Sequence, residues 1–384
     1  MKIAIVHDYF TQMGGAERVA EELYRLLPQS SLFATVALPN CMPAQLKSVS
    51  IRTSWMQNMP KIDKCYRLYF LLYPLAVNSI DVSGHDLVIS SSSSYAKGVR
   101  TDYNSVHVCY CHTPMRWVWS YDGYSKRESF GRLQRTLLPV LIRGLRLWDE
   151  GASRQPDHFV ANSKVVAERI LRAYGRRAEV IHPPIDTSRF EPSQERADYY
   201  VVLSRLVSYK RIDLAVQACT ELSRKLLVIG DGPDRSRLEV LAGPSIKFLG
   251  RAPDKDVEFH LARCRALIFP GEEDFGMVPL EAGAAGRPTI AFRAGGAVET
   301  VVENATGVFF DEQTPEHLGE AIERFERMEW NSAAIRRHAE TFGVDIFQER
   351  FRSFLRRIGM PVDQEGTRNR RSMASGVFEQ ERAS

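Results

Sequence analysis

The chain has 384 residues, of which 44% are hydrophobic and 26% charged. This is a globular composition, and the length exceeds one ordinary core and suits two domains of roughly 150–200 residues. No apolar run approaches the roughly 20 residues of a membrane-spanning helix. The N-terminal run Met1–Val6 is too short for a signal peptide and predicts a first strand, so we expect a cytoplasmic protein.

Charge is distributed unevenly between the two halves. Residues 1–180 carry 23 Lys/Arg and 15 Asp/Glu, a net charge of +8, whereas the remainder carries 28 and 32, a net charge of −4. This asymmetry indicates that the first domain faces an anionic surface or substrate.

The six cysteines have no regular disulfide spacing, and most lie in apolar runs, so we expect reduced core cysteines. Cys109-Tyr-Cys111-His112 has no second Cys/His cluster to complete a metal site, and we predict no metal.

The chain opens with a predicted strand, Lys2–His7, followed by a glycine-containing loop and a helix over Ala16–Leu27. The loop lacks the third glycine of a dinucleotide fingerprint, and no acid ends a second strand at the expected offset. The pattern favours Gly14 and Gly15 approaching a phosphate or sugar held by a facing domain, with a plain tight turn as the alternative.

Further strands are predicted at Ser31–Val36, Asp86–Ser90, Val106–Tyr110 and Asp157–Ala161, and Ser90–Ser94 is predicted to be a loop near the site. The basic, amphipathic segment Lys126–Trp148 predicts a helix kinked at Pro139. Such a helix either lies on an anionic bilayer or packs on the core with solvated arginines. The apolar run Tyr66–Val77 leaves the same question open.

A domain boundary is predicted near Pro183-Pro184, with 186–198 as the linker. Strands and helices then alternate from Tyr199 to Phe292, which indicates a second parallel sheet. Three helices follow, near 315–328, 332–341 and 344–358. The last 22 residues, 363–384, are polar and unpatterned, which predicts disorder.

The stretch Pro270–Gly286 lies between two predicted strands and consists of an acid-rich loop and a helix from about Met277. Free N–H groups at a helix start bind anions. Glu273 and Glu281 lie eight residues apart there, and carboxylates accept hydrogen bonds from vicinal hydroxyls. The stretch therefore predicts a sugar-nucleotide site.

Two cations complete this predicted site. Arg205 follows a strand and Lys210 precedes a helix, so both border one βα loop. A pair of cations at that place suits a diphosphate.

These motifs resemble a known family. The pair Arg205…Lys210, the run Gly230–Pro233 and Glu273-x7-Glu281 resemble the retaining glycosyltransferases of family 4, over residues 1 to about 358. Tyr110–Trp117 and Pro270–Gly276 are most similar to mannosyltransferases of bacterial O-antigen and exopolysaccharide assembly, which use GDP-mannose.

The resemblance implies an α/β protein of the GT-B fold, two Rossmann-like doubly wound domains facing across a cleft. It implies an acceptor domain over 1–182, a donor domain over 183–340, a C-terminal helix over 341–362 packing back on the first domain, and a tail over 363–384.

The resemblance also implies roles for individual residues. Arg205 and Lys210 would bind the diphosphate and stabilise the leaving nucleotide. Glu281 would hold the ribose and Glu273 the donor sugar. His112 would contact the reacting sugar, which makes the implied catalytic set His112, Glu273, Arg205 and Lys210. Other donor contacts are implied for Gly14, Gly15, Gly230, Asp231, Gly232, Gly250, Arg251, Phe275, Gly276, Met277 and Val278, and Arg116 is an acceptor candidate.

The implied reaction retains the anomeric configuration, either with the leaving phosphate accepting the acceptor's proton or through Glu273 as a covalent nucleophile. No cofactor is implied, and the cations would replace a metal. Asp254-Lys-Asp256 mimics a metal-binding Asp-x-Asp but follows Pro253, which predicts a helix start.

We therefore expect transfer of a hexose, α-mannose from GDP-mannose, to a polyprenyl-diphosphate-linked saccharide in surface-polysaccharide synthesis. The expected location is the inner face of the cytoplasmic membrane, bound through the basic first domain, with no nucleic-acid partner. The alternatives are a UDP-glucose or UDP-galactose donor, a nucleotide-sugar epimerase or dehydrogenase, and a non-catalytic sugar-nucleotide-binding protein.

Overall fold

The computed structural model describes residues 1–119 and 132–362, with the backbone alone for residues 132–138. These residues fall into two compact units, one over Met1–Phe347 and a second that begins at Gln348. Both sheets that the structure describes lie in the first unit.

The first sheet is parallel and seven-stranded, with the order β3-β2-β1-β4-β5-β6-β7. Its two central strands begin with apolar residues and are buried along their whole length, as expected of a sheet covered on both faces. The strands are β1 (Ile3–His7), β2 (Ser31–Ala34), β3 (Ile51–Thr53), β4 (Leu87–Ser92), β5 (Val106–Cys111), β6 (His158–Ala161) and β7 (Ala178–Val180).

The strand order of this sheet reverses between β1 and β4. In parallel α/β sheets, ligands bind outside the carboxyl ends of the strands at such a switch point. His7 at the end of β1 and the serines at the end of β4 therefore lie at the expected ligand edge.

Six helices accompany this sheet in the part of the chain that the structure describes. The first is amphipathic and places Val19, Ala20 and Leu23 in the core. The helices are α1 (Gly15–Leu26), α2 (Ile62–Cys65), α3 (Tyr73–Asn78), α4 (Arg116–Trp119), α5 (Arg132–Ala152) and α6 (Lys164–Tyr174).

Two predictions for this half are corrected. The serine run is not all loop, because β4 continues to Ser92. The predicted helix over Lys126–Trp148 ends later than predicted, because the described residues are helical over Arg132–Ala152, including Pro139. Its predicted start falls within residues 120–131, which lie outside the described part.

A buried ion pair holds the last turn of α5. Lys97 Nζ lies 2.5 Å from Asp149 Oδ1, and both side chains are fully buried. Asp149 Oδ2 accepts hydrogen bonds from Trp119 Nε1 and Tyr174 OH, each at 2.7 Å. The C-terminal part of this helix is therefore packed on the domain core.

The second sheet is parallel and six-stranded, with the order β10-β9-β8-β11-β12-β13. Its order reverses between β8 and β11, which defines a second ligand edge. The strands are β8 (Tyr200–Leu203), β9 (Leu226–Ile229), β10 (Ile246–Gly250), β11 (Leu267–Phe269), β12 (Thr289–Phe292) and β13 (Gly307–Phe310).

The helices after the first sheet agree with the predicted alternation. Asp254 begins one of them, as predicted for the Asp-x-Asp mimic. They are α7 (Ile212–Glu221), α8 (Arg235–Leu241), α9 (Asp254–Arg263), α10 (Met277–Ala284), α11 (Ala297–Thr300), α12 (Pro315–Glu326), α13 (Ser332–Glu340) and α14 (Val344–Arg357). Short 3-10 helices occur at Pro39–Cys41, Ala44–Ser48, Trp55–Asn58, Ala96–Gly98, Thr187–Arg189 and Ser208–Lys210.

The two parallel α/β sheets confirm the predicted architecture. The predicted linker 186–198 contains a 3-10 helix, and its Phe190 is buried in the core of the second sheet. The six cysteines are free, as expected, and four of them are buried. The predicted tail, 363–384, lies outside the described residues. Within residues 1–119 and 132–362, no helix has the length and apolar character to span a bilayer.

Candidate active site

The switch point of the second sheet brings a predicted cation and a predicted carboxylate together. Lys210 ends the 3-10 helix that follows β8, and Glu273 lies in the loop that follows β11. Their side chains form a half-buried ion pair between Nζ and Oε1. The two loops also touch closely, because a Cβ on Gly271 would lie 2.7 Å from the carbonyl oxygen of Lys210. Glycine is thus required for this pairing.

Arg205, the other predicted cation, follows β8 and has an exposed side chain that faces the first sheet's domain. Its Nη1 donates a hydrogen bond to Gln12 Oε1 at 3.1 Å. Gln12 precedes the Gly14-Gly15 turn, so Arg205 lies beside the predicted glycine loop.

Glu281 lies one turn into α10 and is buried. Its Oε1 accepts from Arg18 Nη1 at 2.5 Å, and Arg18 belongs to α1 of the first domain. Desolvation opposes the charged form of Arg18, but the nearby Glu281 carboxylate outweighs it and raises the Arg18 pKa. The predicted ribose carboxylate therefore bridges the two domains in this structure.

The Gly14-Gly15 turn meets the start of α10 across the cleft. Gly14 is the extended residue before α1, and a Cβ on Gly15 would lie 2.8 Å from Met277 Sδ. Gly276, just before Met277, has φ +86°, a left-handed conformation that favours glycine at this helix start. Phe275 is buried and stacks on His182, with ring centroids 5.3 Å apart, and Val278 is half-buried.

His112 lies just beyond β5 and is almost fully buried. Its Nε2 is 2.8 Å from Ser91 Oγ, and that hydroxyl is 3.0 Å from His7 Nδ1. Burial lowers the pKa of His112 to about 3 and the pKa of His7 to about 4. Both rings are therefore neutral at pH 7, and the uncharged His112 ring can donate one hydrogen bond and accept another.

The predicted base-side loop is closely packed. Gly230 N donates to the carbonyl of Gly250 at 2.8 Å, and Asp231 Oδ1 accepts from Gly232 N at 2.8 Å. Gly230 has φ +131°, and a Cβ there would collide with the backbone of Ser204. Arg251 is exposed at the end of β10. These residues form a glycine-lined edge outside β9 and β10.

Sequence reasoning missed several residues of this region. One of them is Asp274, whose Oδ1 lies 2.6 Å from Nη2 of Arg116, the acceptor candidate. Arg18 was missed as well, although it follows the glycine turn by only three residues. No local pattern identifies partners that lie more than 100 residues away in the chain.

Asp8 and Glu17 were also missed, and both are buried carboxyl groups near the glycine turn. Asp8 accepts hydrogen bonds from the backbone N–H groups of residues 93–96 and so holds the end of the serine run. Burial raises the pKa of Glu17 to about 7. A polar residue directly after a buried first strand was the available signal for Asp8.

Comparison with known proteins resolves the class. Residues 13–189 match the family model described as "Glycosyltransferase Family 4", and residues 185–342 match "Glycosyl transferases group 1". The chain is a GT-B glycosyltransferase. The predicted GT-B fold and glycosyltransferase class are thereby confirmed.

Relatives and solved structures agree with this class. An uncharacterized glycosyltransferase of Methanocaldococcus jannaschii is 24% identical, over 84% of this chain and 87% of its own length. A GDP-mannose-dependent alpha-(1-6)-phosphatidylinositol monomannoside mannosyltransferase of Mycobacterium tuberculosis is 31% identical, over 49% of this chain and 56% of its own. The chain thus aligns with just over half of that mannosyltransferase.

Among solved structures, Anabaena HepE in complex with UDP shares 17% identity at a TM-score of 0.68, over 92% of this chain and 99% of its own. Sucrose-phosphate synthase from Thermosynechococcus elongatus shares 16% identity at a TM-score of 0.68, over 93% and 99%. At these identities the likeness establishes the fold of this glycosyltransferase.

Proposed function

We propose that the protein transfers α-mannose from GDP-mannose to a polyprenyl-diphosphate-linked saccharide, with retention of the anomeric configuration. The observation that carries the proposal is the Lys210–Glu273 pair at the switch point of the second sheet, with Glu281 one turn into the adjoining helix. A cation for phosphate and two carboxylates for hydroxyl groups are the recognition chemistry that a sugar nucleotide needs.

The proposed donor rests on the mannosyltransferase relative, whose name specifies GDP-mannose. The second candidate is a UDP-sugar, because Anabaena HepE, which shares the fold, was solved with UDP. The edge formed by Gly230, Gly250 and Arg251 would meet the base and so discriminate between the two.

In the proposed reaction, the bond from the sugar's anomeric carbon to the β-phosphate oxygen breaks while the bond to the acceptor oxygen forms on the same face. The acceptor's proton passes to the departing phosphate oxygen. Arg205 and Lys210 stabilise the negative charge on that phosphate in place of a metal. Glu273 orients the sugar hydroxyls, and neutral His112 contacts the reacting sugar.

We also propose that the first domain binds an anionic membrane, which would bring it to a lipid-linked acceptor. In the apolar run Tyr66–Val77, three leucines are exposed beside the exposed cations Lys64 and Arg67. They are Leu68, Leu71 and Leu75. Exposed apolar side chains beside cations suit the headgroup region of an anionic bilayer.

Helix α5 supports the same proposal. Val140, Leu141 and Leu147 are exposed beside Arg143, while Leu145 is buried. One apolar cluster contains Leu145 and the buried Tyr73 of the first run, so both segments pack on the same part of the domain. The two interpretations of α5 from the sequence, a helix on a bilayer and a helix packed on the core, are thus compatible. One face is packed, and the other is available to lipid.

A donor screen tests the proposal. Thermal shift with GDP-mannose, UDP-glucose and UDP-galactose identifies the nucleotide, and transfer to a lipid-linked acceptor with linkage analysis identifies the product. We expect stabilisation and α-mannosyl transfer with GDP-mannose. Transfer from a UDP-sugar alone would replace the mannose proposal by the second candidate.

A further inference from the structure

Asp274 directly follows Glu273 and is held by two arginines of the first domain. Its Oδ1 lies 2.6 Å from Arg116 Nη2 and also pairs with Arg169 Nη1. Arg169 reaches Glu272 Oε1 as well, at 2.8 Å. Two cations from one domain therefore converge on the acidic loop of the other.

The backbone of this loop is fixed at the same place. Ser163 Oγ donates to the carbonyl oxygen of Asp274 at 2.6 Å, which is another contact from the first domain. Within the second domain, Gly296 N donates to the carbonyl oxygen of Glu273 at 2.8 Å. The peptide that carries Glu273 is thus held on both sides.

Arg116 also contacts the other loop of the site. Its guanidinium carbon lies 5.3 Å from the centre of the Tyr209 ring, within cation–π range. Tyr209 directly precedes Lys210. A single arginine of the first domain therefore touches the chain neighbours of both members of the Lys210–Glu273 pair.

We infer that Arg116 and Arg169 are positioning residues that align Glu273 and Lys210 through Asp274 when the two domains are closed. The inference rests on the proposed function only for the role given to Lys210 and Glu273, since the contacts themselves involve no donor. Reacting groups need alignment within fractions of an ångström, so a site completed across the cleft is active only in the closed form.

This role differs from the acceptor contact that the sequence suggested for Arg116. A positioning residue acts through Asp274, so Arg116→Ala and Asp274→Asn share the loss of one ion pair, and their combined effect is smaller than the product of the two single effects. If Arg116 bound the acceptor directly, Arg116→Ala would lower activity by the same factor whether residue 274 is Asp or Asn.

The first experiment needs no donor. Hydrogen–deuterium exchange of the ligand-free full chain is followed in peptides that cover residues 270–276. We expect Arg116→Ala, Arg169→Ala and Asp274→Asn each to accelerate exchange there about tenfold. Arg172→Ala is the matched control, since Arg172 lies on the same helix as Arg169 and pairs with Glu168 on the exposed surface. Unchanged exchange in all three variants would overturn the inference.

The second experiment compares initial rates with GDP-mannose in a double-mutant cycle. We expect each of Arg116→Ala and Asp274→Asn to lower kcat about 30-fold with KM for the donor changed less than threefold, and the double variant to lose clearly less than the product of the two single losses. Arg169→Lys should recover most of the activity that Arg169→Ala loses.

The outcomes separate this inference from the proposed function. Full activity of Asp274→Asn beside an inactive Arg116→Ala, or multiplicative losses in the double variant, would overturn the positioning role. A wild-type protein without mannosyl transfer would contradict the proposed function, while the exchange result would still decide the inference.

Discussion

Arg18 and Glu281 form a 2.5 Å ion pair that joins the first helix of one domain to the helix after β11 in the other. The pair occupies one oxygen of the carboxylate that we propose for the donor ribose. If the two ribose hydroxyls take both oxygens of Glu281, the donor replaces Arg18 at Oε1. On this proposal, Arg18 and the nucleotide compete for Glu281.

Arg18→Met should tighten binding of the nucleoside diphosphate about three- to tenfold. The physical reason is that a partly exposed ion pair contributes about 1 kcal/mol, which nucleotide binding no longer has to overcome. Titration calorimetry with GDP measures the effect. Arg25→Met is the matched control, since Arg25 pairs with Glu22 on the same helix. Weaker binding by Arg18→Met would instead make Arg18 a ligand of the nucleotide.

Asp149→Asn should destabilise the protein by about 3–5 kcal/mol, because it leaves Lys97 charged and unpaired in a fully buried position. The double substitution Lys97→Met/Asp149→Leu removes both charges and should cost less than Asp149→Asn alone. Urea unfolding followed by circular dichroism measures both. A cost below 1 kcal/mol for Asp149→Asn would contradict the buried pair.

Acid should destabilise the protein between pH 6.5 and about 4. Burial lowers the pKa of His7 and His107 to about 4 and that of His112 to about 3. As the pH falls, these histidines therefore take up protons in the unfolded state before they do so in the folded state. Their stabilisation is complete above pH 6.5 and is lost as the pH falls. Glu17 acts in the opposite sense, because its pKa is raised to about 7 in the folded state.

The net uptake on unfolding is therefore close to two protons near pH 5.5, and the free energy of unfolding should fall by about 2–3 kcal/mol per pH unit. Urea unfolding at pH 7, 6 and 5 measures this slope. His107→Gln should reduce the slope by about one proton. A free energy that stays level across this range would contradict the neutral buried histidines.

Leu68→Asp/Leu75→Asp should reduce binding to vesicles that contain anionic lipid by at least tenfold, because charged groups enter the headgroup boundary poorly. Co-sedimentation with liposomes at low salt measures the effect. Val240→Asp is the matched control, as this exposed valine lies in the second domain. Equal, weak binding of the wild type to neutral and anionic vesicles would favour a purely structural role for these segments.

The sequence predicted the parts of the site that follow strand ends. Lys210 and Glu273 each lie within a few residues of a buried apolar run, and parallel sheets bring such ends to one edge. Their ion pair therefore agrees with reasoning that needs only the order of the strands. The extent of β4 was predicted too short, because the serines at its end are polar yet fully buried.

The contacts across the cleft could not be predicted in this way. Arg18 is 263 residues from Glu281 and Arg116 is 158 from Asp274, so no periodicity or spacing connects them. Which arginine meets which carboxylate depends on how two folded domains meet. Sequence reasoning accordingly placed Lys210 and Glu273 at one edge of the second sheet and missed the residues that join this edge to the first domain.

The most direct measurement of the central claim is the transfer of mannose from GDP-mannose to a polyprenyl-diphosphate-linked saccharide by the wild type and by Lys210→Ala. We predict an α-linked product from the wild type and a rate reduced by about 10²–10³-fold in Lys210→Ala, since one charged donor to the leaving phosphate is lost. Lys225→Ala, on the exposed surface of the same domain, should retain the wild-type rate. Equal rates for Lys210→Ala and the wild type would contradict the site described here.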